Sequence, residues 1–360
     1  MTNIILYNIL IIEESKRLDR PDNWVVFSVA TIRDVAKLAG VSVATVSAVI
    51  NKNSGVRVSA ELTRRVEEAI KELNYKPNRI ARSLSKKENY TIGYIVPSIT
   101  NFFFPQLAKA IEDIAFEKDY GVYLCNTDGK IERARYYLDS LIENRVAGII
   151  TTLTWEIEEI DFIENVLSQN IPVVGLAGAR VNGKIDTVRP DDKEGARMAV
   201  EYLLGKGYNR IAFIGVKDSQ TTVIRLSGYR QALLEVGLGY DEGLVGLASG
   251  FANSEIRDIV SKLIRNYPEL NAIFVFNDLM GTAVIDALNR AGKKIPEDIA
   301  VMGFDDSIAA YTFPRMTTMS IPKVEMASIA MERLFKRING DDSSPLDIKI
   351  TPTLVEGNTT

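Results

Sequence analysis

Apolar positions repeat at helical spacing in two short runs between residues 31 and 51, and a glycine separates the runs. Thr31 and Ser42 stand where the two helices would begin, and Gly40 stands where the first would end. The pattern therefore predicts a helix-turn-helix unit. Its apolar face comprises Ile32, Val35, Ala36, Ala39, Val43, Val46, Val49 and Ile50, and the exposed face of the second helix comprises Ala44, Thr45, Ser47, Ala48 and Asn51.

Further helical periodicity follows this unit. Ser59 is placed to cap a third amphipathic helix that runs to about Asn74, and Pro77 interrupts the pattern shortly afterwards. Asn78 can then cap a short segment that ends near Leu84. A helical hairpin whose outward face is small and polar is typical of a surface that lies against a partner, although a plain helical core remains the alternative.

The pattern changes at about residue 90, where continuous apolar runs rich in β-branched residues begin to alternate with helical segments. Such alternation is typical of parallel sheets covered by helices on both faces. The length fits two subdomains of this kind, so the sequence predicts an α/β protein with a small all-α head and a two-subdomain core. The strand-like runs are 92–96, 122–124, 148–151, 173–176, 211–214, 272–276 and 299–304; the helical runs are 105–118, 131–143, 195–205, 228–236 and 281–291.

Charge is distributed unevenly between these parts. Residues 29–88 contain twelve Lys and Arg against six acidic residues, a net charge of +6. The whole chain carries −4, and residues 89–360 carry −9. A basic head on an acidic body suits a module that binds DNA phosphates while the body is repelled by them.

Composition narrows the possible chemistry. The chain has no histidine and a single cysteine, Cys125, within an apolar run that predicts a buried strand. Histidine triads, histidine-ligated metals and internal disulfides are therefore excluded. The sequence also lacks a glycine-rich phosphate loop and a nucleophile elbow, so we expect no enzyme, no metal and no cofactor. A carboxylate hydrolase using Asp278 and Asp306 is the enzyme alternative.

The first 28 residues do not fit the rest of the pattern. Their apolar run at 4–12 is too short to span a bilayer, and no cleavage site for export follows it. We expect an upstream translation artefact with Val29 as the true start; a genuine extension is the alternative. Without an export signal or a membrane span, the expected location is the cytoplasm.

The head resembles the lactose/galactose repressor family of bacterial transcription regulators. The resemblance continues through the core in the motifs at 95–97, 101–104, 225–229, 277–278 and 303–306, which implies a core similar to periplasmic binding proteins. The implied boundaries are 1–28 for an N-terminal extension, 29–76 for the helix-turn-helix domain, 77–89 for a hinge helix and linker, and 90–360 for the core, with a first subdomain of about 90–188 and 297–322 and a second of about 189–296 and 323–360. The head's matching positions are Thr31 to Ala36, Gly40 to Ser42, Ala44 to Ser47, Asn51, Thr63, Arg64, Val66, Leu73, Tyr75, Pro77, Asn78, Ala81, Arg82 and Leu84.

The resemblance implies a homodimer on near-palindromic operator DNA, with the second helix in the major groove and Leu84 wedged into a central base step. No heptad pattern follows residue 348, which favours a dimer over a coiled-coil tetramer. Many relatives carry Arg at the position of Ala48, so we expect weak direct reading of bases and more dependence on DNA shape. The predicted DNA-binding residues are Thr31, Ser42, Val43, Ala44, Thr45, Ser47, Ala48, Asn51, Arg57, Asn78, Ala81, Arg82 and Leu84.

Polar residues follow two of the predicted strands, at Asn277-Asp278 and Asp305-Asp306, where ligands bind in open α/β sheets. Asp278 also fits a plain helix N-cap, and Arg225 sits at the predicted start of a helix, where a cation needs an anionic partner or ligand. The resemblance implies a small polar effector between the subdomains, usually a sugar or sugar phosphate. The implied effector-binding residues are Ser98, Asn101, Phe103, Phe104, Arg225, Phe251, Asp278 and Asp305.

The expected function is allosteric repression of carbohydrate-metabolism genes. Many relatives carry Ile-Asp-Arg where this chain has Leu176-Ala177-Gly178, so the effector is expected to be less hydroxylated or less charged on that side. A purine or another metabolite is the alternative effector, and a sugar-binding protein without a DNA role is the alternative class. The sequence leaves open whether the effector is an inducer or a co-repressor.

Overall fold

The computed structural model describes residues 30–50, 57–76, 89–152, 162–178 and 183–360. The chain divides into two compact units, Met1–Lys87 and Glu88–Thr360. The predicted N-terminal extension lies outside the described residues. Within the described ranges, no helix has the length and apolar character needed to cross a bilayer.

The described part of the head contains three helices: α1 (Ile32–Ala39), α2 (Val43–Ile50) and α3 (Ala60–Glu72). The predicted caps are confirmed. Thr31 and Asp34 form a reciprocal capping box, and Gly40 ends α1 with a φ of 64°, in the left-handed region that glycine adopts without strain. Ser42 Oγ accepts a hydrogen bond from the Thr45 N–H at 3.1 Å, and Ser59 caps α3. Val35, Val46 and Val66 are fully buried and join the three helices in one small core.

Two positions on α2 differ from the prediction. Val43, the first residue of the helix, is 42% exposed and is not part of the buried head cluster within the described residues. Ala48 is only 9% exposed, although its helical position lies nearly opposite Val46. Within the described residues, Ala48 is not part of the buried head cluster. The prediction of an exposed Ala48 is therefore wrong for the free chain.

The first sheet of the core is entirely parallel, in the order β11-β5-β4-β3-β1-β2. Ile92, Ile150 and Val174 are fully buried in it, as their continuous apolar runs predicted. Cys125 is buried in β2, and burial raises the pKa of its thiol to about 11. The elements are β1 (Thr91–Val96), α4 (Phe103–Glu117), β2 (Gly121–Asn126), α5 (Ile131–Glu143), β3 (Gly148–Thr151), α6 (Phe162–Ser168), β4 (Val173–Leu176), β5 (Asp186–Pro190) and β11 (Asp347–Ile350).

The second sheet has the order β12-β10-β9-β8-β6-β7, and only β12 runs antiparallel to its neighbour. Phe213, Phe274 and Phe304 are fully buried on its strands, and their rings pack at tilted angles, Phe213 on Phe274 and Phe274 on Phe304. Phe213 also contacts the ring of Tyr229. The elements are α7 (Asp192–Gly205), β6 (Ile211–Val216), α8 (Gln220–Glu235), β7 (Val245–Ala248), α9 (Asn253–Asn266), β8 (Ala272–Val275), α10 (Asp278–Arg290), β9 (Ala300–Asp305), β10 (Thr317–Ser320), α11 (Lys323–Ile338) and β12 (Thr353–Val355).

The assignment of the C-terminal segments differs from the prediction. Residues 297–322 were expected in the first subdomain, but β9 and β10 pair within the second sheet. Residues 323–360 were expected in the second, but α11 packs on the first sheet and β11 pairs with β5. The β8–α10–β9 crossover continues the preceding strand–helix rhythm, so β9 falls beside β8. The chain changes subdomain after β5, after β10 and again between β11 and β12.

A buried ion cluster fixes the return of the chain to the first sheet. The Asp186 carboxylate on β5 accepts hydrogen bonds from Arg333 and Arg337 of α11 and from the Leu346 N–H. Burial alone would raise the pKa of Asp186, but these hydrogen bonds outweigh it and lower the pKa. The cluster therefore ties α11 and β11 to the strand from which the chain left the first subdomain.

Candidate DNA-binding head and effector site

The outward surface of α2 is small and weakly polar. Ser42, Val43 and Ala44 are exposed, and Thr45 and Ser47 are partly buried. The Ser42 and Thr45 hydroxyls are 2.9 Å apart, at a helix N-terminus whose dipole favours an anion such as a phosphate. Thr31 lies at the start of α1, where its hydroxyl and backbone N–H both contact the Asp34 carboxylate.

The other predicted DNA-binding residues are only partly within the described ranges. Arg57 is exposed ahead of α3. Residues outside the described ranges are Asn51, Asn78, Ala81, Arg82 and Leu84, so their roles in binding DNA stay predictions.

Arg225 is the centre of the core's polar site. Its helix begins at Gln220 and is capped by Ser219, so the prediction that Arg225 opens the helix is wrong. Arg225 Nε and Nη2 donate to one oxygen of Asp192 at 2.9 and 2.7 Å. Its Nη1 donates to the Phe276 carbonyl, and its side chain is only 6% exposed.

Aromatic rings enclose this guanidinium. Its central carbon lies 3.7 Å from the centroid of the Phe304 ring and 4.9 Å from that of Phe276. The ring faces attract the cation while they exclude water. Phe251 packs on the Phe276 ring, with 6.2 Å between the ring centroids, and it is 38% exposed. The predicted aromatic Phe251 therefore stands at the solvent edge of the Arg225 site.

Asp278 has a structural role that the sequence did not predict. The cap of α10 is Asn277, whose side chain accepts from the Met280 N–H at 3.0 Å, so the N-cap interpretation of Asp278 is wrong. The Asp278 carboxylate accepts from Thr318 Oγ1 at 2.6 Å and from the backbone N–H groups of Ser307 and Ile308. It is fully buried, and burial raises its pKa. Asp278 therefore holds the loop after β9 and presents no surface to an effector in this conformation.

Asp305 lies beside Asp278 at the end of β9. Its Oδ1 accepts from the same Ser307 N–H that Asp278 binds, at 3.2 Å. Burial, followed by repulsion from Asp278, raises the pKa of Asp305 well above its usual value. Its backbone has a φ of 88°, which is strained for a residue with a side chain. The strand thus ends in a loop whose shape two buried carboxylates determine.

Lys323 faces the same loop from the start of α11. Its Nζ donates to the backbone carbonyls of Asp305 at 2.6 Å, Asp306 at 3.1 Å and Ile321 at 3.3 Å. Burial lowers the pKa of Lys323, while the neighbouring carboxylates oppose this change. The ammonium group also lies 5.9 Å from the Phe103 ring centroid, so it links the loop to the first subdomain.

The first-subdomain wall is made by the loop between β1 and α4. Ser98 Oγ accepts from the Thr100 N–H, and Asn101 Oδ1 accepts from the Phe103 N–H at 3.1 Å. Both predicted polar residues therefore also stabilise this turn. Phe103 is buried and contacts the edge of the partly buried Phe104, with ring centroids 5.3 Å apart.

A direct hydrogen bond joins the first-subdomain wall to the second-subdomain wall, which is formed by the loop after β9. Gln106 Nε2 on α4 donates to the Ser307 carbonyl at 2.8 Å. Because the Ser307 N–H binds both Asp278 and Asp305, one peptide segment connects α4 with the buried carboxylates. The structure thus brings Phe103, Arg225, Asp278, Asp305 and Phe251 to a connected region at the carboxyl ends of the strands.

Sequence reasoning missed several residues of this region. Asp192 begins α7 two positions after the last residue of β5, so its position near a strand's carboxyl end could have identified it. Phe276 and Phe304 read as ordinary strand residues, and nothing in their local pattern marks contact with a cation. Gln106 and Lys323 gain their roles only from tertiary contacts. Within the described residues, no group of three or more His, Cys, Asp or Glu side chains is arranged to hold a metal.

The geometry defines a class: a helix-turn-helix head joined to a receptor core of two parallel-sheet subdomains. Residues 31–78 match the model of bacterial regulatory proteins of the lacI family, and residues 200–360 match a periplasmic binding protein-like domain. The chain is 36% identical over 331 residues to the ribose operon repressor of Escherichia coli (strain K12), covering 91% of this chain and 98% of that protein. The chain therefore belongs to the lacI family of bacterial regulatory proteins.

Solved structures agree with this assignment. The lac repressor dimer bound to operator and the anti-inducer ONPF matches 92% of this chain and 99% of its own, with a TM-score of 0.80 and 25% identity. A LacI family transcriptional regulator from Enterococcus faecium with bound ribose matches 75% of this chain and 98% of its own, with a TM-score of 0.67 and 28% identity. The protein is a DNA-binding transcriptional regulator, and the predicted fold class is confirmed.

The raised pKa of Asp305 predicts a gain of stability when its charge is removed. Above its usual pKa the ionised carboxylate is desolvated and repelled by Asp278, so folding is opposed. We expect Asp305→Asn to raise the thermal unfolding midpoint of the core by a few degrees at pH 7. The gain should shrink on acidification, as the wild-type carboxyl becomes protonated in the folded state.

Thermal unfolding between pH 4 and pH 8 measures this effect. Asp258→Asn, at an exposed position on α9, is the matched control and should not change the midpoint at any pH. An Asp305→Asn midpoint at or below the wild-type value across the whole range would contradict the assignment.

Proposed function

We propose that this protein is a homodimeric repressor of carbohydrate-metabolism genes and that a neutral pentose-like sugar sets its affinity for a near-palindromic operator. The observation that carries the effector class is the buried Arg225, held by Asp192 between Phe276 and Phe304 at the carboxyl ends of the strands. A repressor of this kind works where the DNA is, so we expect it in the cytoplasm.

Operator binding is supported by the head. A net charge of +6 over residues 29–88 supplies contacts to phosphates, and α2 has the outward surface and capped N-terminus of a recognition helix. Two identical heads bind two half-sites related by a dyad, which makes the operator near-palindromic. Val43 and Ala44 are exposed and can make methyl contacts with bases, whereas Ala48, 9% exposed, has little surface for such contacts.

The charges of the site favour a neutral sugar over a sugar phosphate. Arg225 is already paired with Asp192, and the Lys323 ammonium is already bound by three carbonyls. The buried carboxylates of Asp278 and Asp305 would repel a phosphate. A sugar suits this site, because it brings no charge near the buried carboxylates and has a C–H face for the exposed ring of Phe251.

A change in the distance between the walls would couple effector to operator. The Gln106–Ser307 hydrogen bond joins α4 to the loop after β9, and Lys323 lies at a crossing between the subdomains. An effector that contacts both walls favours the closed arrangement by the difference between its affinities for the open and closed states. That shift would alter the geometry of the hinge segment at 77–89, and with it the operator affinity.

Binding-site selection on the full-length protein, followed by fluorescence anisotropy on the selected duplex, tests the proposed function. We expect a palindromic consensus, two chains per duplex, and an operator affinity that D-ribose changes by about 5- to 150-fold, the usual range of allosteric coupling. Ribose 5-phosphate and hypoxanthine serve as comparison ligands. A response to the phosphate alone or to the purine alone would contradict the neutral-sugar assignment, and no preference for any palindrome would contradict the operator-binding proposal.

The Gln106–Ser307 hydrogen bond between the walls predicts an effect on sugar affinity. Gln106→Leu removes the donor to the Ser307 carbonyl, which costs the closed state about 1 kcal/mol. We expect the affinity for the active sugar, measured by calorimetry, to fall about 3- to 10-fold, which corresponds to that energy. Gln231→Leu, on α8 where Gln231 contacts Glu235, is the control and should bind like wild type. Unchanged sugar affinity in Gln106→Leu would show that the bond does not report closure.

A further inference from the structure

The head contains one long-range hydrogen bond that the DNA-binding assignment does not use. Arg65, the sixth residue of α3, donates from Nη2 to the Ala39 carbonyl at 2.6 Å, across 26 positions of sequence. Ala39 is the last residue of α1, directly before the turn that leads to α2. Arg65 therefore connects the third helix to the turn of the helix-turn-helix unit.

The chemistry of a helix end explains why this contact is favourable. The last carbonyls of a helix lack partners within it, and the C-terminal end of the helix dipole favours a cation. The N–H groups of Gly40 and Val41 satisfy Ala36 and Lys37. The Ala39 carbonyl instead receives the guanidinium, so the side chain completes the cap of α1.

The turn is tightly packed around this guanidinium. A Cβ atom added to Gly40 would lie 2.6 Å from Arg65 Nη2, and Gly40 has a φ of 64°. Helix α2 begins at Val43, three residues later. A displacement of the turn would therefore also move α2, whose side chains contact DNA in the proposed function.

We propose that Arg65 is a positioning residue for sequence reading: its bond to the Ala39 carbonyl sets the orientation of α2, and so the preference for operator over random duplex. The inference rests on the proposed operator binding. Arg64, the preceding residue, provides a matched comparison, because it has the same charge but is exposed and pairs with Glu68 on its own helix.

The test compares full-length Arg65→Met and Arg64→Met with wild type for binding to the selected operator and to random duplex at several salt concentrations. Both variants lose one positive charge, so both should lose affinity for random duplex to a similar, salt-dependent extent. We expect the operator-over-random ratio to fall about tenfold or more in Arg65→Met, the scale of losing one base contact, and to stay near wild type in Arg64→Met. Arg65→Lys, which restores a donor, should recover part of the ratio.

Hydrogen exchange over α1 to α3 in the same proteins separates positioning from unfolding. If Arg65→Met loses protection across the whole head, Gly40→Ala decides the question, because it keeps the charge of Arg65 but displaces the guanidinium from the turn. A lowered ratio in Gly40→Ala with a protected head supports the proposal. The proposal is overturned if a folded Arg65→Met or Gly40→Ala head keeps the wild-type operator-over-random ratio, or if Arg64→Met lowers that ratio equally. A wild-type protein without any operator preference would instead refute the proposed function.

Discussion

The proposed effector site depends on a positive charge held away from water. Arg225 is stabilised there by the Asp192 carboxylate, by the Phe276 carbonyl and by the faces of two aromatic rings. Removing the Asp192 carboxylate would leave a desolvated cation without an anionic partner, which is far more costly than losing a surface contact. The strand ends of the second sheet are therefore arranged around this guanidinium.

The neighbouring carboxylates of Asp278 and Asp305 are also charged groups buried away from water. Asp278 and Asp305 share one peptide N–H, and the loop that supplies it also accepts a bond from Gln106 across the cleft. Burial opposes the charge on both acids, so this part of the second subdomain is held in a less stable arrangement than an apolar core would give. Such a site suits a receptor that must change state when a ligand arrives.

Local features of the fold were predictable from sequence, because each is fixed by a few adjacent residues. The caps at Thr31, Ser42 and Ser59 and the glycine at 40 behave as their side chains and backbone preferences require. The return of the chain to the first subdomain after β10 was not predictable. The strand and helix patterns of β9 and α11 would be the same whichever sheet they join. Several residues of the site were predicted from the sequence. The hydrogen bonds that already engage the Asp278 carboxylate, and the roles of Asp192, Gln106 and Lys323, were not, because they depend on contacts between elements that are distant in sequence.

In the proposed mechanism, one chain couples a sugar site to a DNA site through the arrangement of two subdomains. The most direct test is reciprocity: sugar affinity is measured by calorimetry for the free protein and for its operator complex. We expect sugar affinity to differ between the two states by the same factor by which the sugar changes operator affinity, about 5- to 150-fold. Equal sugar affinity in the free protein and in the operator complex would show that the two sites are not coupled.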